Sequence, residues 1–233
     1  MTHFDDYATA YDAWFMENQF VLNSELLLVK YFLADCGETL SVGCGSGLFE
    51  KLLRDEHGID IRHGIEPSSN MADIAVKRGM QVQVKGAEDA EFGESCYDTI
   101  MFNGSPGYIS DLPAVLAKSY AALKPGGKII LIDVPKESGY ATLYNLAMTL
   151  GTWDHPLLEG VKPKSPYPIE LVKVAKWRTT QEKIDLMQQA DFTDFRYAQT
   201  LTRHPVFSDD KLEQPTEGFD GGDYVAICAY KSA

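Results

Sequence analysis

Gly43, Gly45 and Gly47 alternate with Cys44 and Ser46 directly after the apolar run Leu40-Ser41-Val42. Glycines spaced this closely let backbone pass near a ligand, and the N–H groups opening the next helix are free to bond it. About twenty residues further on, Glu66 ends a second apolar run, where a carboxylate can accept hydrogens from both hydroxyls of a ribose. The chemistry this pattern suits is the binding of a nucleoside cofactor. A dinucleotide fingerprint needs Gly-x-Gly-x-x-Gly, and Leu48 occupies its third glycine position, whereas Gly47 falls two residues after Gly45. The plainer alternatives are a glycine turn without a ligand and, for Glu66, a cap on the helix expected to start near Ser69.

The elements that must position these residues alternate. Leu40–Val42, Ile59–Ile65, Met80–Lys85, Thr99–Phe102 and the β-branched Lys128–Val134 read as strands. Helices are expected after the glycine loop to about Arg54, over Asn70–Arg78 and over Leu112–Leu123. Such repetition makes a parallel sheet with helices on both faces. Ahead of it, Tyr7, Tyr11, Trp14 and Phe15 recur at helical spacing, and Leu22–Leu33 forms a second amphipathic run that Gly37 is expected to end. Residues 135–178 break the rhythm with Pro135, Pro156, Pro163, Pro166 and Pro168, around a helix over Ala141–Leu150. Thr179-Thr180-Gln181-Glu182 carries a capping-box pattern for a helix to about Ala190, and Phe195–Leu201 and Asp223–Tyr230 read as the last strands.

Several short segments together resemble the class I S-adenosylmethionine (SAM)-dependent methyltransferases. The compact glycine loop resembles their SAM-binding loop, and Gly64-Ile65-Glu66-Pro67-Ser68 is similar to their G-x-E-P-S segment. Lys85-Gly86-Ala87-Glu88, Tyr97–Asn103 and the turn Leu123-Lys124-Pro125-Gly126-Gly127 follow in the family's order and spacing. Tyr11-Asp12-Ala13-Trp14-Phe15 resembles an N-terminal helix motif of members that act on small molecules. The resemblance covers nearly the whole chain except 137–178 and is nearest the methyltransferase type 11 group, related to the ubiquinone and menaquinone biosynthesis enzymes.

The resemblance implies an α/β, Rossmann-like fold with a seven-stranded, mostly parallel sheet, helices on both faces and a small inserted cap. It implies one methyltransferase domain over 1–233, with N-terminal helices over 1–36 and the cap over 137–178. The cofactor implied is S-adenosyl-L-methionine, held by Tyr11, Gly43, Cys44 (through its backbone), Gly45, Gly47, Glu66, Pro67, Ala87, Glu88 and Asn103. One departure stands out: the family has an acid two residues before the first glycine, where this chain has Ser41. That departure keeps open a SAM-binding module without transferase activity, beside an enzyme that moves the methyl in line to a small-molecule acceptor.

The candidates on the acceptor side are Tyr108, Tyr144, Trp153 and His155, an aromatic set that would suit a cationic amine or a flat aromatic acceptor. The same aromatics could simply pack the cap onto the core. No residue is assigned a catalytic role, because SAM carries its own electrophile and a base is needed only if the acceptor must lose a proton. The chain has 233 residues, 45% hydrophobic and 24% charged, with 21 Lys and Arg against 34 Asp and Glu for a net charge of −13. That balance disfavours nucleic acid, which proteins bind through basic patches. Four scattered cysteines form no metal or disulfide framework, and no metal is expected. Met1–Ala10 lacks a signal-peptide pattern and no apolar run is long enough for a membrane span, so a cytoplasmic location without membrane association is expected. Homodimer formation is an alternative use for the 137–178 segment. Calorimetry on the purified chain is expected to show binding of SAM or S-adenosylhomocysteine (SAH) and none of NAD.

Overall fold

A computed structural model describes residues 4–232, so the first three residues of the expected N-terminal helical segment lie outside the described residues. The chain opens with helices α1 (Ala8–Glu17) and α2 (Gln19–Tyr31). The alternating part follows: β1 (Thr39–Val42), α3 (Leu48–His57), β2 (His63–Ile65), α4 (Ser69–Lys77), β3 (Gln81–Gln83), β4 (Tyr97–Asn103), α5 (Leu112–Ala122) and β5 (Leu123–Asp133). Then come α6 (Gly139–Leu150), the single turn α7 (Ile169–Val172), α8 (Thr180–Gln189), β6 (Thr193–Thr200), β7 (Thr216–Glu217) and β8 (Tyr224–Tyr230).

The strands form one mixed sheet in the order β3-β2-β1-β4-β5-β8-β6-β7. β3 through β5 pair in parallel, and β8 runs antiparallel to both β5 and β6. The expected count of seven strands is corrected to an 8-stranded sheet. The extra member is β7, whose exposed residues Thr216 and Glu217 pair with Gln199 and Ala198 at the edge. So short a strand carries no apolar pattern that a sequence could display. Gly37 is also corrected: α2 ends at Tyr31, and Gly37 lies beyond it at φ +56°, where an added Cβ would strike Asp98.

Burial on both sides gives the central strands their near-continuous apolar composition. Ile100, Phe102, Ile129 and Leu131 face α5 and α8, whereas Met101, Ile130 and Ile132 face the layer that includes α2 and α3. β1 and β4 are adjacent although β2 and β3 intervene in sequence, so chain order reverses between them. At such a point the loops leaving the two strands diverge and open a crevice at their carboxyl ends. Val42 and Asn103 are the residues that reach it.

Segment 137–178 contributes Tyr144, Tyr167 and Trp177 to the lining of this crevice. Ser138 caps α6 through Ala141 N–H, and Tyr140, Tyr144 and Val172 form an apolar cluster with Trp153, Tyr167 and Trp177 against it. Its far end is pinned to the loop after β4, where Lys176 N–H donates to Gly107 O at 2.7 Å and Arg178 donates to the carbonyls of Pro106 and Ile109. It also meets the N-terminal helices: Trp14 Nε1 donates to Ser165 O at 3.0 Å, and the Trp14 and Tyr167 rings meet edge to face at 5.0 Å. Amide hydrogen exchange is therefore expected to report residues 8–17 and 160–177 as one unit, gaining protection together on addition of SAH.

Candidate functional site

Backbone geometry makes the glycine loop. Gly43 sits at φ +72°, and a Cβ there would lie 2.4 Å from Ser105 Cβ, so neither the conformation nor the space admits a side chain. Ser105 donates its hydroxyl to Val42 O at 2.6 Å, which ties the loop after β4 to the end of β1. Gly47, also left-handed at φ +69°, is the residue from which α3 starts.

Glu66 then orients the loop. Its Oε2 accepts from Gly45 N–H at 2.9 Å and its Oε1 from Ser68 N–H at 2.8 Å, while the carboxylate lines the crevice and is almost fully buried. Glu66 is not the cap of α4, which is Ser68, whose hydroxyl accepts from Met71 N–H.

The missing acid at position 41 has a neighbour in space. Ser41 Oγ donates to Glu50 Oε1 at 2.6 Å, so a buried carboxylate from the first turn of α3 stands beside β1. Burial, opposed by that hydrogen bond and by Arg78, raises its pKa. Arg78 itself joins the glycine loop to α1, donating to Ser46 O and Ser46 Oγ at 2.8 Å and pairing with Asp12 at 2.5 Å. Ser46 Oγ also donates to Asp12.

These elements enclose a cavity of about 190 Å³. Of the residues expected at the cofactor, Tyr11, Gly43, Gly45, Glu66, Pro67, Ala87, Glu88 and Asn103 line it together. Gly47 lies outside the lining because it starts the helix, and the Cys44 side chain turns away to pack with Ala75 and Met80. On the acceptor side, Tyr108 and Tyr144 line the cavity, but Trp153 and His155 do not, which corrects their expected placement. Trp153 is spent on packing, with its ring against Tyr144 and its Nε1 donating to Tyr167 O. His155 Nδ1 accepts from Leu157 N–H to cap a short turn, a local bond available to any side-chain acceptor before a Pro.

Several lining residues gave no motif to read: Phe4, Glu25, Asp133, Tyr167, Trp177 and Tyr224. Tyr224 donates to Asn103 Oδ1 at 2.8 Å, linking the antiparallel strand to the crevice. Glu25 had a visible signal, because it falls on the apolar stripe of α2 with Leu22, Leu26 and Val29, where an acid is out of place. Asp133, at the end of β5, accepts from Val134 N–H at 2.9 Å and faces the buried Lys183 ammonium at 3.8 Å.

Burial dominates the electrostatics. It pushes the phenols of Tyr11, Tyr108, Tyr144, Tyr167 and Tyr224 upward, so they remain neutral rings. Desolvation raises Glu25 to about 8, and raises Glu66 to about 7 against the pull of its two N–H donors.

With the geometry in place, comparison with known proteins gives the class. Residues 18–214 match the family model for the methyltransferase domain, so the chain belongs to that family and is a SAM-dependent methyltransferase. Its structure is similar to that of a SAM-dependent methyltransferase from Thermotoga maritima described as a possible histamine N-methyltransferase, with a TM-score of 0.83, 29% identity and 99% of both chains covered. An uncharacterized protein of Methanocaldococcus jannaschii is 30% identical over 99% of this chain and 100% of its own. Phosphoethanolamine N-methyltransferase 1 of Triticum aestivum is 28% identical over 44% of this chain, which spans only 22% of that longer protein.

The two raised carboxyls set a pH dependence. Both bind a proton more tightly folded than at their ordinary value of 4.5, so their contribution to stability is complete below that pH and is lost as pH rises through about 7 and about 8. Thermal denaturation of the ligand-free chain is expected to show a falling Tm across that window. Glu25→Gln is expected to flatten its upper part.

Proposed function

We propose that the crevice holds SAM between the glycine loop and Glu66 and presents its methyl group to a small-molecule acceptor under segment 137–178. The lining acids Glu66, Glu88 and Asp133 meet no Lys, Arg or His in the lining among the described residues. An acidic lining without a cation suits a sulfonium cofactor, whose charge would favour the ionised carboxylates, and opposes a pyrophosphate one. This is the observation that carries the proposal, and it agrees with the absence of a glycine at position 48.

The residues divide the work by position. Glu66 is held by Gly45 and Ser68 with lone pairs left over toward the cavity, where they suit two ribose hydroxyls. Ala87, Ile65, Met71 and Ile109 give an apolar bed of the kind an adenine ring occupies, and Glu88 is fixed beside it by the N–H groups of Ser110 and Asp111. When bound, SAM supplies a methyl on a positively charged sulfur and leaves as SAH. The chain's contribution is alignment and exclusion of water, since in-line transfer needs the acceptor atom held close and dry. Tyr11, Phe15 and Tyr167 provide that cover from the N-terminal and 137–178 sides.

A small acceptor suits a crevice of this size, and the relatives described as a possible histamine N-methyltransferase and as a phosphoethanolamine N-methyltransferase are named for molecules of that scale. Free thiols at Cys36, Cys44, Cys96 and Cys228 suit a reducing, cytoplasmic setting. Among the described residues no helix is long and apolar enough to cross a membrane.

Glu66→Gln tests the cofactor placement. The amide keeps one acceptor for the loop and loses the charge, so SAH affinity measured by calorimetry is expected to fall by about 2–4 kcal/mol. The far-ultraviolet circular dichroism of the variant is expected to stay native. Native folding with unchanged affinity would place the cofactor elsewhere.

A further inference from the structure

We propose that the acceptor is a small amine carrying no phosphate or carboxylate, that it binds as its ammonium ion with Glu25 as counter-ion, and that its nitrogen passes a proton to that carboxylate before it can take a methyl group, an inference resting on the cofactor placement proposed above. The argument is one of elimination among the acids that line the cavity. Glu66 is committed to the ribose hydroxyls in that placement, and Glu88 is only part-buried, with one oxygen accepting from Ser110 and Asp111. Asp133 accepts from Val134 and has the Lys183 ammonium behind it. The Glu25 side chain, in a residue only 8% exposed, makes no hydrogen bond or ion pair among the described residues.

A carboxylate buried this far is costly unless something compensates its charge. Nothing in its own helix does so, since its neighbours on that face are Leu22, Leu26 and Val29. The open side is the cavity. A ligand entering there with an ammonium group would favour the carboxylate, whose charge burial opposes.

The surroundings favour a cation over any other group. Tyr11, Tyr144, Tyr167 and Tyr224 all feel the charge of Glu25 and all stay neutral, which leaves their ring faces available to an ammonium. Trp177 stacks on Tyr144 at 5.7 Å and adds a further face to the cavity. An anionic substituent at this end of the cavity would face the Glu25 carboxyl itself, with no lining Lys, Arg or His among the described residues to offset it. A neutral flat acceptor would leave Glu25 uncompensated.

The test uses the full chain saturated with SAH and a panel of matched probes, read by calorimetry. The pairs are 2-phenylethylamine with 2-phenylethanol, and ethanolamine with phosphoethanolamine, together with phenethyltrimethylammonium as a cation that cannot accept a methyl. The cations are expected to bind about tenfold or more tighter than their neutral or phosphorylated counterparts. Glu25→Gln is expected to weaken the cations on the order of thirtyfold, as loss of one member of a buried charge pair does, with SAH affinity unchanged and Tm equal or higher. Glu25→Asp keeps the charge and is expected to retain the preference for cations. Cations that bind no better than their counterparts to protein that binds SAH would overturn the proposal, as would a folded Glu25→Gln variant with wild-type cation affinity. Failure of the wild type to bind SAH would instead strike the cofactor placement, and this proposal with it.

Discussion

The carboxylate of Glu66 accepts from Gly45 with one oxygen and from Ser68 with the other, and most of the site is arranged around that bridge. Gly45 belongs to the loop leaving β1, and Ser68 caps the helix that follows β2. One side chain thus holds two successive strand–helix turns in register, at the edge of the crevice that the strand order opens between β1 and β4. The same bridge buries a carboxylate whose charge burial opposes. Two N–H donors offset only part of that cost, as the direction of its shift shows. A group held this way is both scaffold and candidate ligand, which is why Gln, rather than Ala, is the informative replacement.

Around that bridge, the chain is drawn inward by polar links of long sequence separation. Asp12 joins Ser46 and Arg78, while Asp5 accepts from Ser68 Oγ and so brings the start of the described chain to α4. Arg78 is the hub, bonding both the carbonyl and the hydroxyl of Ser46. The other side is apolar and aromatic instead, with Trp14 in ring contact with Tyr167 and Tyr144 with Trp177. Polar clamps at the glycine-loop end and ring packing at the other give the two ends of the cavity different mechanical character. Ring contacts can slide and reform at small cost, whereas the Asp12–Arg78 pair has a fixed geometry.

Ser41 and Glu50 illustrate how a residue's role can move without leaving its place in space. A carboxylate beside the first glycine turn is absent at 41 and present nine residues later, one helix start away, with the serine hydroxyl bonded to it. The pair keeps a buried acid next to β1 while satisfying one of its lone pairs locally. A carboxylate at both positions would set two like charges within one hydrogen-bond length, which burial would penalise further.

The sequence by itself determined the alternation of strands and helices, the glycine loop and the acid twenty residues beyond it, because these depend on local periodicity and on the steric needs of single residues. Gly43 is legible since no other residue tolerates its φ and its approach to Ser105, and the capping box at Thr179 and Glu182 appears as written. Tertiary structure alone decided which aromatics face the cavity. Tyr144 and Trp153 are nine residues apart and equally aromatic, yet one lines the space and the other bonds Tyr167, a choice made by the path of a proline-rich segment with no period to read. Tyr224 and Asp133 reach the site from β8 and β5 because the sheet order brings those strands together, and a two-residue edge strand has too few side chains to announce itself. Glu25 lies between the two cases. Its place on an apolar stripe is written in the chain, but the helix could have turned that stripe toward either the core or the cavity mouth, and only packing against the sheet aims the carboxylate into the cavity.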